Sequence, residues 1–374
     1  MKIVVIADTG SRGGYTQMRH ARIFLSVITL SSLLGLTPAG LAQSLNFTWT
    51  SIDPVGASST FANGIRSAGS TTSVPYSAQG AANGVRNQFG EEQHQDSTTF
   101  PGQGNALGQN KHQGTGSTTS TGSTQVVGYF WDTVSTPHSY LLTYLSTGAT
   151  WSAINATGAY GTWTFATGVN STGQITGYYY AYDPVAFTFR AHGFVQTGGS
   201  TSSFDVPGAV DTFGNGISSG GQVAGSYSDA KGTHAFVRGA TGTSYTTFDA
   251  PGAVNGTVAA GVNDTGMIVG YYYDAVLCPH GFLRSLSGST YTQIDITGAT
   301  CTSANAINGS GQIAGHFFNS TGVHGFLRSA AGSIATIDYP LSSGTIINAL
   351  NDSGQIAGEY MDSTNRFHGY KTGP

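Results

Sequence analysis

The chain is expected to fold as an all-β propeller of six or seven four-stranded blades, and three observations carry that expectation. The element His-(Gly/Ala)-Phe-(Leu/Val) recurs at His192, His234, His280 and His324 and weakens to His368-Gly369-Tyr370, advancing by 42, 46, 44 and 44 residues. A period near 45 is the length of one four-stranded blade. Every copy repeats the same order of turn residues and apolar runs, and the two chain ends are complementary, each supplying what the other lacks.

The clearest unit begins at Gly261. Its first strand ends at Val262, where Asn263-Asp264-Thr265-Gly266 reverses the chain, because Asn and Asp bond their own backbone and Gly accepts positive φ. The same turn is written Asn170-Ser171-Thr172-Gly173, Asn308-Gly309-Ser310-Gly311 and Asn351-Asp352-Ser353-Gly354. A second strand follows through Ile268 to Tyr273, then a loop, then a third and fourth strand paired about Ser287-Gly288. Units of this kind occupy roughly 125–157, 168–208, 216–252, 261–298 and 307–340.

Residues 350–370 supply three strands of a further unit and stop, while Thr48-Trp49-Thr50-Ser51-Ile52-Asp53-Pro54 reads as a lone fourth strand. An open stack would leave unpaired sheet at both ends, so a closing blade shared between the termini is expected. Residues 66–120 are the weak stretch. They read either as a degenerate seventh blade, since Ser97-Thr98-Thr99-Phe100-Pro101-Gly102 echoes Thr246–Gly252 and Ala82-Asn83-Gly84-Val85 echoes Ala62-Asn63-Gly64-Ile65, or as a disordered insertion rich in Gly and Ser. The roughly 332 residues after a 42-residue leader fit seven periods and favour seven.

Directly opposed residues of an antiparallel pair share one positional sum about their turn. That arithmetic pairs His192 with Asp205, His234 with Asp249, His280 with Asp295 and His324 with Asp338, and across the shared blade it places His368 near Asp53. A cross-strand hydrogen bond is expected in each. A pair copied at the same register in blade after blade serves what all blades need, so these residues are assigned a structural rather than a catalytic role.

These motifs resemble those of the secreted proteins built from the HAF extracellular repeat, a tripeptide found intact as His234-Ala235-Phe236. The resemblance covers residues 125–370 through Asn-x-x-Gly-Gln-Ile-x-Gly, His-Gly-Phe and Ile-Asp-x-Pro-Gly-Ala. It implies an exported bacterial protein whose family has no agreed biochemical role.

Arg19, His20 and Arg22 precede the apolar run Ile23–Leu30, extended to Leu36, and a small-residue exit at Gly40-Leu41-Ala42. Residues 1–42 therefore read as a signal peptide cleaved after Ala42, with Met18 an alternative start that would leave 1–17 untranslated, and 43–374 as one propeller domain, secreted or at the cell surface. No second long apolar run follows, so no membrane span is expected. Charged residues are 9% of the chain and the net charge is -4, with Arg238, Arg284 and Arg328 scattered one per blade, which argues against nucleic acid. Cys278 and Cys301 fall at one end of neighbouring units and could form a disulfide in an oxidising compartment, two reduced buried thiols being the other reading. No metal site and no cofactor are expected, and a monomer is.

Glutamates stand only at 91, 92 and 359, and the aspartates sit almost entirely at repeat positions, so little remains for a unique acid/base pair. Gly216-Ile217-Ser218-Ser219-Gly220 has the letters of a nucleophile elbow without its following helix. The richest candidate set is aromatic: Tyr129, Trp131, Tyr179, Tyr180, Tyr272 and Tyr273 run out of the second strands towards one mouth of the ring, with Asp132, Asp183, Asp274 and Trp163. The expected function is a non-enzymatic binding or scaffold protein for a glycan, an envelope component or a protein. The alternative is an extracellular hydrolase or lyase in the central channel, with His316 as the residue to inspect.

Overall fold

The structure, a computed structural model, describes residues 47–68 and 123–373, apart from 146, 147, 286 and 289. The expected leader and the stretch from 69 to 122 lie outside the described residues.

All regular structure among the described residues is β. After β1 (Trp49–Ile52), the strands β2 (Ala57–Ala68), β3 (Ser123–Asp132), β4 (Pro137–Leu145) and β5 (Gly148–Ile154) form one antiparallel sheet in that order. The pattern repeats in β6 (Thr164–Val169), β7 (Ile175–Asp183), β8 (Thr188–Thr197) and β9 (Ser200–Phe204). It repeats again in β10 (Asp211–Ile217), β11 (Val223–Asp229), β12 (Gly232–Arg238) and β13 (Tyr245–Phe248), and in β14 (Thr257–Val262), β15 (Ile268–Tyr273), β16 (Pro279–Arg284) and β17 (Tyr291–Ile294). An eight-stranded sheet holds β18 (Cys301–Ile307), β19 (Ile313–Asn319), β20 (Gly322–Arg328), β21 (Ile334–Ile337), β22 (Gly344–Leu350), β23 (Ile356–Met361), β24 (Phe367–Thr372) and β1. Its halves, β18–β21 and β22–β24 with β1, meet only at a parallel bridge between Val323 and Gly344, so each half is treated below as a unit of four.

The first strands of the units, β2, β6, β10, β14, β18 and β22, touch in that order, and β22 touches β2. The sheets therefore stand in a propeller-like ring. Its seam is β1 against β24, with Trp49 opposite Thr372 and Ile52 opposite Gly369. Arg66–Ala68, assigned by sequence to the weak stretch, continue β2 opposite Ser123–Gln125, so Ala62-Asn63-Gly64-Ile65 is the inner strand of the first unit. Residues 69–122 enter where the other units have their four-residue turn. No seventh set of four strands occurs among the described residues.

Each inner strand carries a bulge, centred on Asn63, Thr167, Asn215, Ala260, Asn305 and Asn348. Bulges add twist and re-aim a side chain. Opposite each one the second strand has glycine: a Cβ on Gly270 would collide with the Val258 carbonyl, and Gly128, Gly177, Gly225, Gly315 and Gly358 face the same clash. Over that gap lies the aromatic residue of the repeated His motif, with Phe194, Phe236, Phe326 and Tyr370 fully buried. Burying each ring is worth roughly 2–3 kcal/mol.

Three belts of hydrogen bonds stitch neighbouring units. In the first, the bulge residue donates to a carbonyl of the next inner strand: Asn63 to Ala166 (3.3 Å), Thr167 to Gly214 (2.7 Å), Asn215 to Ala259 (3.0 Å), Asn305 to Ile347 (2.8 Å) and Asn348 to Ala62 (3.5 Å). Ala260 cannot donate, which interrupts the belt once. In the second, the turn asparagine closes its own turn through Oδ1 and donates Nδ2 onward, as Asn263 does to Asn308 O (3.1 Å) and Asn308 to Asn351 O (3.2 Å). In the third, a buried inner-strand threonine accepts the amide that follows the preceding fourth strand: Ala156 to Thr164 (3.0 Å), Val206 to Thr212 (3.2 Å), Ala250 to Thr257 (3.0 Å), Ile296 to Thr302 (3.2 Å) and Tyr339 to Thr345 (2.9 Å). The sixth threonine, Thr60, is fully buried and its hydroxyl has no partner. The residue after Asp53 is Pro54, which has no N–H to give.

Candidate functional site

Antiparallel order puts the first-to-second and third-to-fourth turns at one end of the ring, the turn face, and the second-to-third loops with the connections between units at the other, the loop face. The two faces differ chemically.

The loop face holds the histidines. Nδ1 lies 2.9 Å from carboxylate in His192–Asp205, His234–Asp249, His280–Asp295 and His324–Asp338, and 2.8 Å in His368–Asp53. The opposite ring nitrogen meets a second carboxylate in His368, with Asp362 at 3.1 Å, and in His280, with Asp274 at 3.5 Å, while His138 meets Asp132 through Nε2 at 3.1 Å. In the fifth unit Thr321 replaces that carboxylate, 2.8 Å from His324. The Asp205 hydrogen bond raises the His192 pKa above its usual value. For His280, burial opposes the charge, but Asp295 and Asp274 together outweigh it and the pKa is raised.

The candidate rim carboxylates are turn formers. One oxygen of Asp132 accepts the amides of Val134 (2.9 Å) and Thr136 (2.8 Å), Asp274 those of Val276 and Cys278 (both 2.9 Å), and Asp183 those of Val185 (2.9 Å) and Ala186 (3.1 Å). These backbone bonds hold Asp183 and Asp274 below the usual carboxylate range. Cys278 and Cys301 are bonded to each other, with Cα atoms 5.5 Å apart, tying the Asp274 loop to the first residue of β18.

Strand alternation divides the candidate tyrosines. Tyr179 and Tyr272 lie against the imidazoles of His192 (5.4 Å) and His280 (5.3 Å), Tyr179 being buried. Tyr129, Trp131, Tyr178, Tyr180 and Tyr273 lie on the opposite sheet faces, and Tyr129 is also buried. Two of the six nominated ring residues are thus interior rather than rim.

What the structure does gather is an aromatic arc. Ring centroids run from Phe367 to Phe61 (5.9 Å), Tyr129 (4.8 Å), Phe165 (5.0 Å), Tyr178 (4.9 Å) and Phe213 (5.0 Å), crossing from the sixth unit through the first and second to the third. From Phe165 it branches outward through Tyr180 (6.0 Å) to Trp163 (5.8 Å), then to Phe189 (5.8 Å), which also meets Tyr160 (4.9 Å) and Tyr182 (5.5 Å). At this outer end Tyr160 is 55% exposed, Tyr182 47% and Phe187 81%. Tyr160, Tyr182, Phe187 and Phe189 escaped the sequence reading. The available signal was the hairpin length: Asp183 falls two residues further beyond its strand glycine, Gly177, than Asp132, Asp229 and Asp274 beyond theirs.

Beside the arc, the Trp131 Nε1 and Thr162 Oγ1 atoms are shielded from solvent and have no hydrogen-bond partner. Along the axis, six aliphatic side chains, Ile65, Val169, Ile217, Val262, Ile307 and Leu350, line two cavities of about 110 and 70 Å³. The larger reaches the asparagine turns and the smaller the bulge residues; each has room for a few waters.

His316 sits off the repeat register, at the position of Tyr129, Tyr178, Ser226, Tyr271 and Glu359 in the other units. Asn305 Nδ2 donates to its Nδ1 (3.0 Å) and to Ile347 O (2.8 Å). The carbonyl can only accept, so it fixes the amide orientation, and the imidazole proton belongs on Nε2. His316 keeps a little solvent contact yet is surrounded by protein, and burial lowers its pKa to about 4.

No family model matches the chain, and no curated protein does. Solved structures similar to it include TolB from Acinetobacter baumannii, at 11% identity and a TM-score of 0.44, covering 66% of this chain and 63% of that one. The chain therefore spans less than two thirds of that protein. Putative TolB from Agrobacterium tumefaciens has 9% identity and a TM-score of 0.43 over 67% and 94% of the two chains. A fucose-specific lectin from Aleuria aurantia has 14% identity and a TM-score of 0.41 over 67% and 87%.

Proposed function

We propose that the chain is an exported, six-bladed member of the HAF-repeat proteins, without catalytic activity of its own, that binds an extracellular partner through its loop face. Counting each half of the eight-stranded sheet as a blade supports six, and the repeated His motif supports the family. One observation carries the binding reading: of the large apolar side chains left exposed among the described residues, all but Leu145 and Ile334 stand on the loop face. Val134 (76%), Val185 (87%), Val276 (78%) and Leu341 (102%) project from separate loops around the ring. Exposed apolar groups concentrated on one face of a protein mark an interaction surface.

The hydrolase reading draws less support. Channel chemistry would pair His316 with a carboxylate, whereas its Nδ1 accepts from an amide, and the axial cavities are smaller than a substrate site, typically about 300 Å³ or more. The test is adhesion of the purified, tagged protein to cells of its source bacterium. Polar substitutions on the loop face (Val134→Ser with Val276→Ser) should weaken retention, while Ile334→Ser on the turn face should not. Equal loss from both faces, or no retention of the parent protein, would refute the proposal.

A further inference from the structure

Resting on that loop-face reading, we infer that the outer end of the aromatic arc, on the second blade, is a saccharide-binding platform. Three observations converge there. The exposed apolar residues elsewhere are aliphatic, whereas Tyr160, Tyr182 and Phe187 are the aromatic ones, and all three belong to this blade. Tyr160 and Tyr182 meet a near-parallel pair, Trp163 and Phe189, whose centroids are 5.8 Å apart with planes at 21°. Phe187 holds a φ of 52° while 81% exposed, two costs borne at one tip residue. The left-handed backbone is shared with Ser135, Leu277 and Asn365 in the corresponding loops of other units, and what sets this tip apart is the exposed aromatic ring it carries.

The second observation concerns hydrogen bonding. The Trp131 indole N–H and Thr162 hydroxyl lie along the arc with no partner in the protein. On the same hairpin, Arg190 and Asp183 form an ion pair with Nε 3.8 Å from Oδ2, adding polar groups beside the rings. The third is the hairpin itself, in which Asp183 falls two residues further beyond its strand glycine, Gly177, than Asp132 and Asp229 do beyond theirs, so that Tyr182 and Phe187 stand past the reach of the neighbouring hairpins.

Flat ring faces beside unpaired donors suit a ligand with apolar C–H faces and a rim of hydroxyls, which describes a pyranose. An acyl chain would leave the polar groups unpaired. Stacking on Trp163 and Phe189 would orient the sugar, and its hydroxyls would engage the exposed Tyr160 and Tyr182.

The test uses the whole protein in affinity electrophoresis through xylan, β-1,3-glucan and solubilised peptidoglycan fragments, with tryptophan fluorescence in parallel. Three forms are compared: the parent, Tyr182→Ala with Phe187→Asn, and Leu277→Asn on the fourth blade. Asn accepts the backbone at 187, and both sites in the double variant are exposed, so folding should survive. The inference expects retardation of the parent by at least one polysaccharide, with affinity about ten-fold weaker in the double variant and unchanged in Leu277→Asn. Retardation that ignores the double variant would overturn the platform while leaving loop-face binding intact. So would cell adhesion lost in that variant with no saccharide bound, which would assign the surface to a protein partner. Failure of the parent to adhere to cells is the separate outcome that overturns the loop-face reading.

Discussion

His368 and Asp53, 315 residues apart in sequence, meet with Nδ1 2.8 Å from Oδ2 and so fasten the two ends of the chain to each other. The four pairs inside single units close hairpins that their turns already hold. This pair has only β1 and β24 beneath it, so removing it should loosen the seam. Asp53→Ala is expected to cost about 1–3 kcal/mol in urea unfolding and to expose Phe47–Ile52 to proteolysis. Asp338→Ala should lower stability without opening the terminus.

The orphaned hydroxyl of Thr60 gives a contrast within one belt. Thr257 accepts the Ala250 amide at 3.0 Å, so Thr257→Val should cost about 1–3 kcal/mol by stranding a buried N–H. Thr60→Val removes a hydroxyl that has no partner and should be neutral or stabilising. Thermal melts of the two variants decide; equal losses would show that the Thr60 hydroxyl is satisfied.

Ala260 is the gap in the bulge belt. Ala260→Asn would offer an amide to the Ala304 carbonyl, as Asn215 does to Ala259 at 3.0 Å. A gain of about 0.5–1.5 kcal/mol is expected, against a loss of similar size for Asn215→Ala. Denaturant midpoints at unchanged slope are the measure.

Stability should depend on pH through groups that oppose each other. His192 and His280 have raised folded pKa values, so their contribution is complete below the ordinary imidazole value of 6.5 and lost as pH climbs through the folded values. His316 works the other way: unfolded imidazole protonates below 6.5 while the folded ring stays neutral until about 4, a penalty that grows to about 3 kcal/mol on acidification. Asp183, Asp229 and Asp274 have depressed values, so what they contribute above 3.8 is lost as pH falls through their folded values. His316→Gln should therefore flatten the decline between pH 6.5 and 4. An unchanged slope in urea titrations would contradict the burial of that ring.

The disulfide lends itself to a simple comparison. Cys278 and Cys301 enclose a loop with a sequence separation of 23, and on the chain-entropy model its loss costs about 3 kcal/mol. The double serine variant should melt lower by that amount and show faster amide exchange in the Asp274 loop than in the Asp362 loop.

Much of the architecture was legible because a repeat samples the same constraint several times. The period gave the four-strand order, and positional sums placed each histidine opposite its aspartate. Turn asparagines were also legible as turns. Their amides reaching into the next unit were not, since spacing along one strand says nothing about which carbonyl stands across a gap between sheets. The same limit applied to the tyrosines: alternation predicts that half face inward, but only the ring geometry shows that Tyr129 and Tyr179 are interior while Tyr160 and Tyr182 are exposed. Arg66–Ala68 were misassigned because no Asn-x-x-Gly turn follows them in the sequence to mark the strand end as it does elsewhere.

The pairing of β1 with β24 reverses the order of synthesis. The strand made first is the last to find its neighbour, and until Phe367–Thr372 emerge it has an open hydrogen-bonding edge with nowhere native to go. Until then the chain carries that edge as a liability, and shortening the carboxyl end by a single strand would cost it both ends at once.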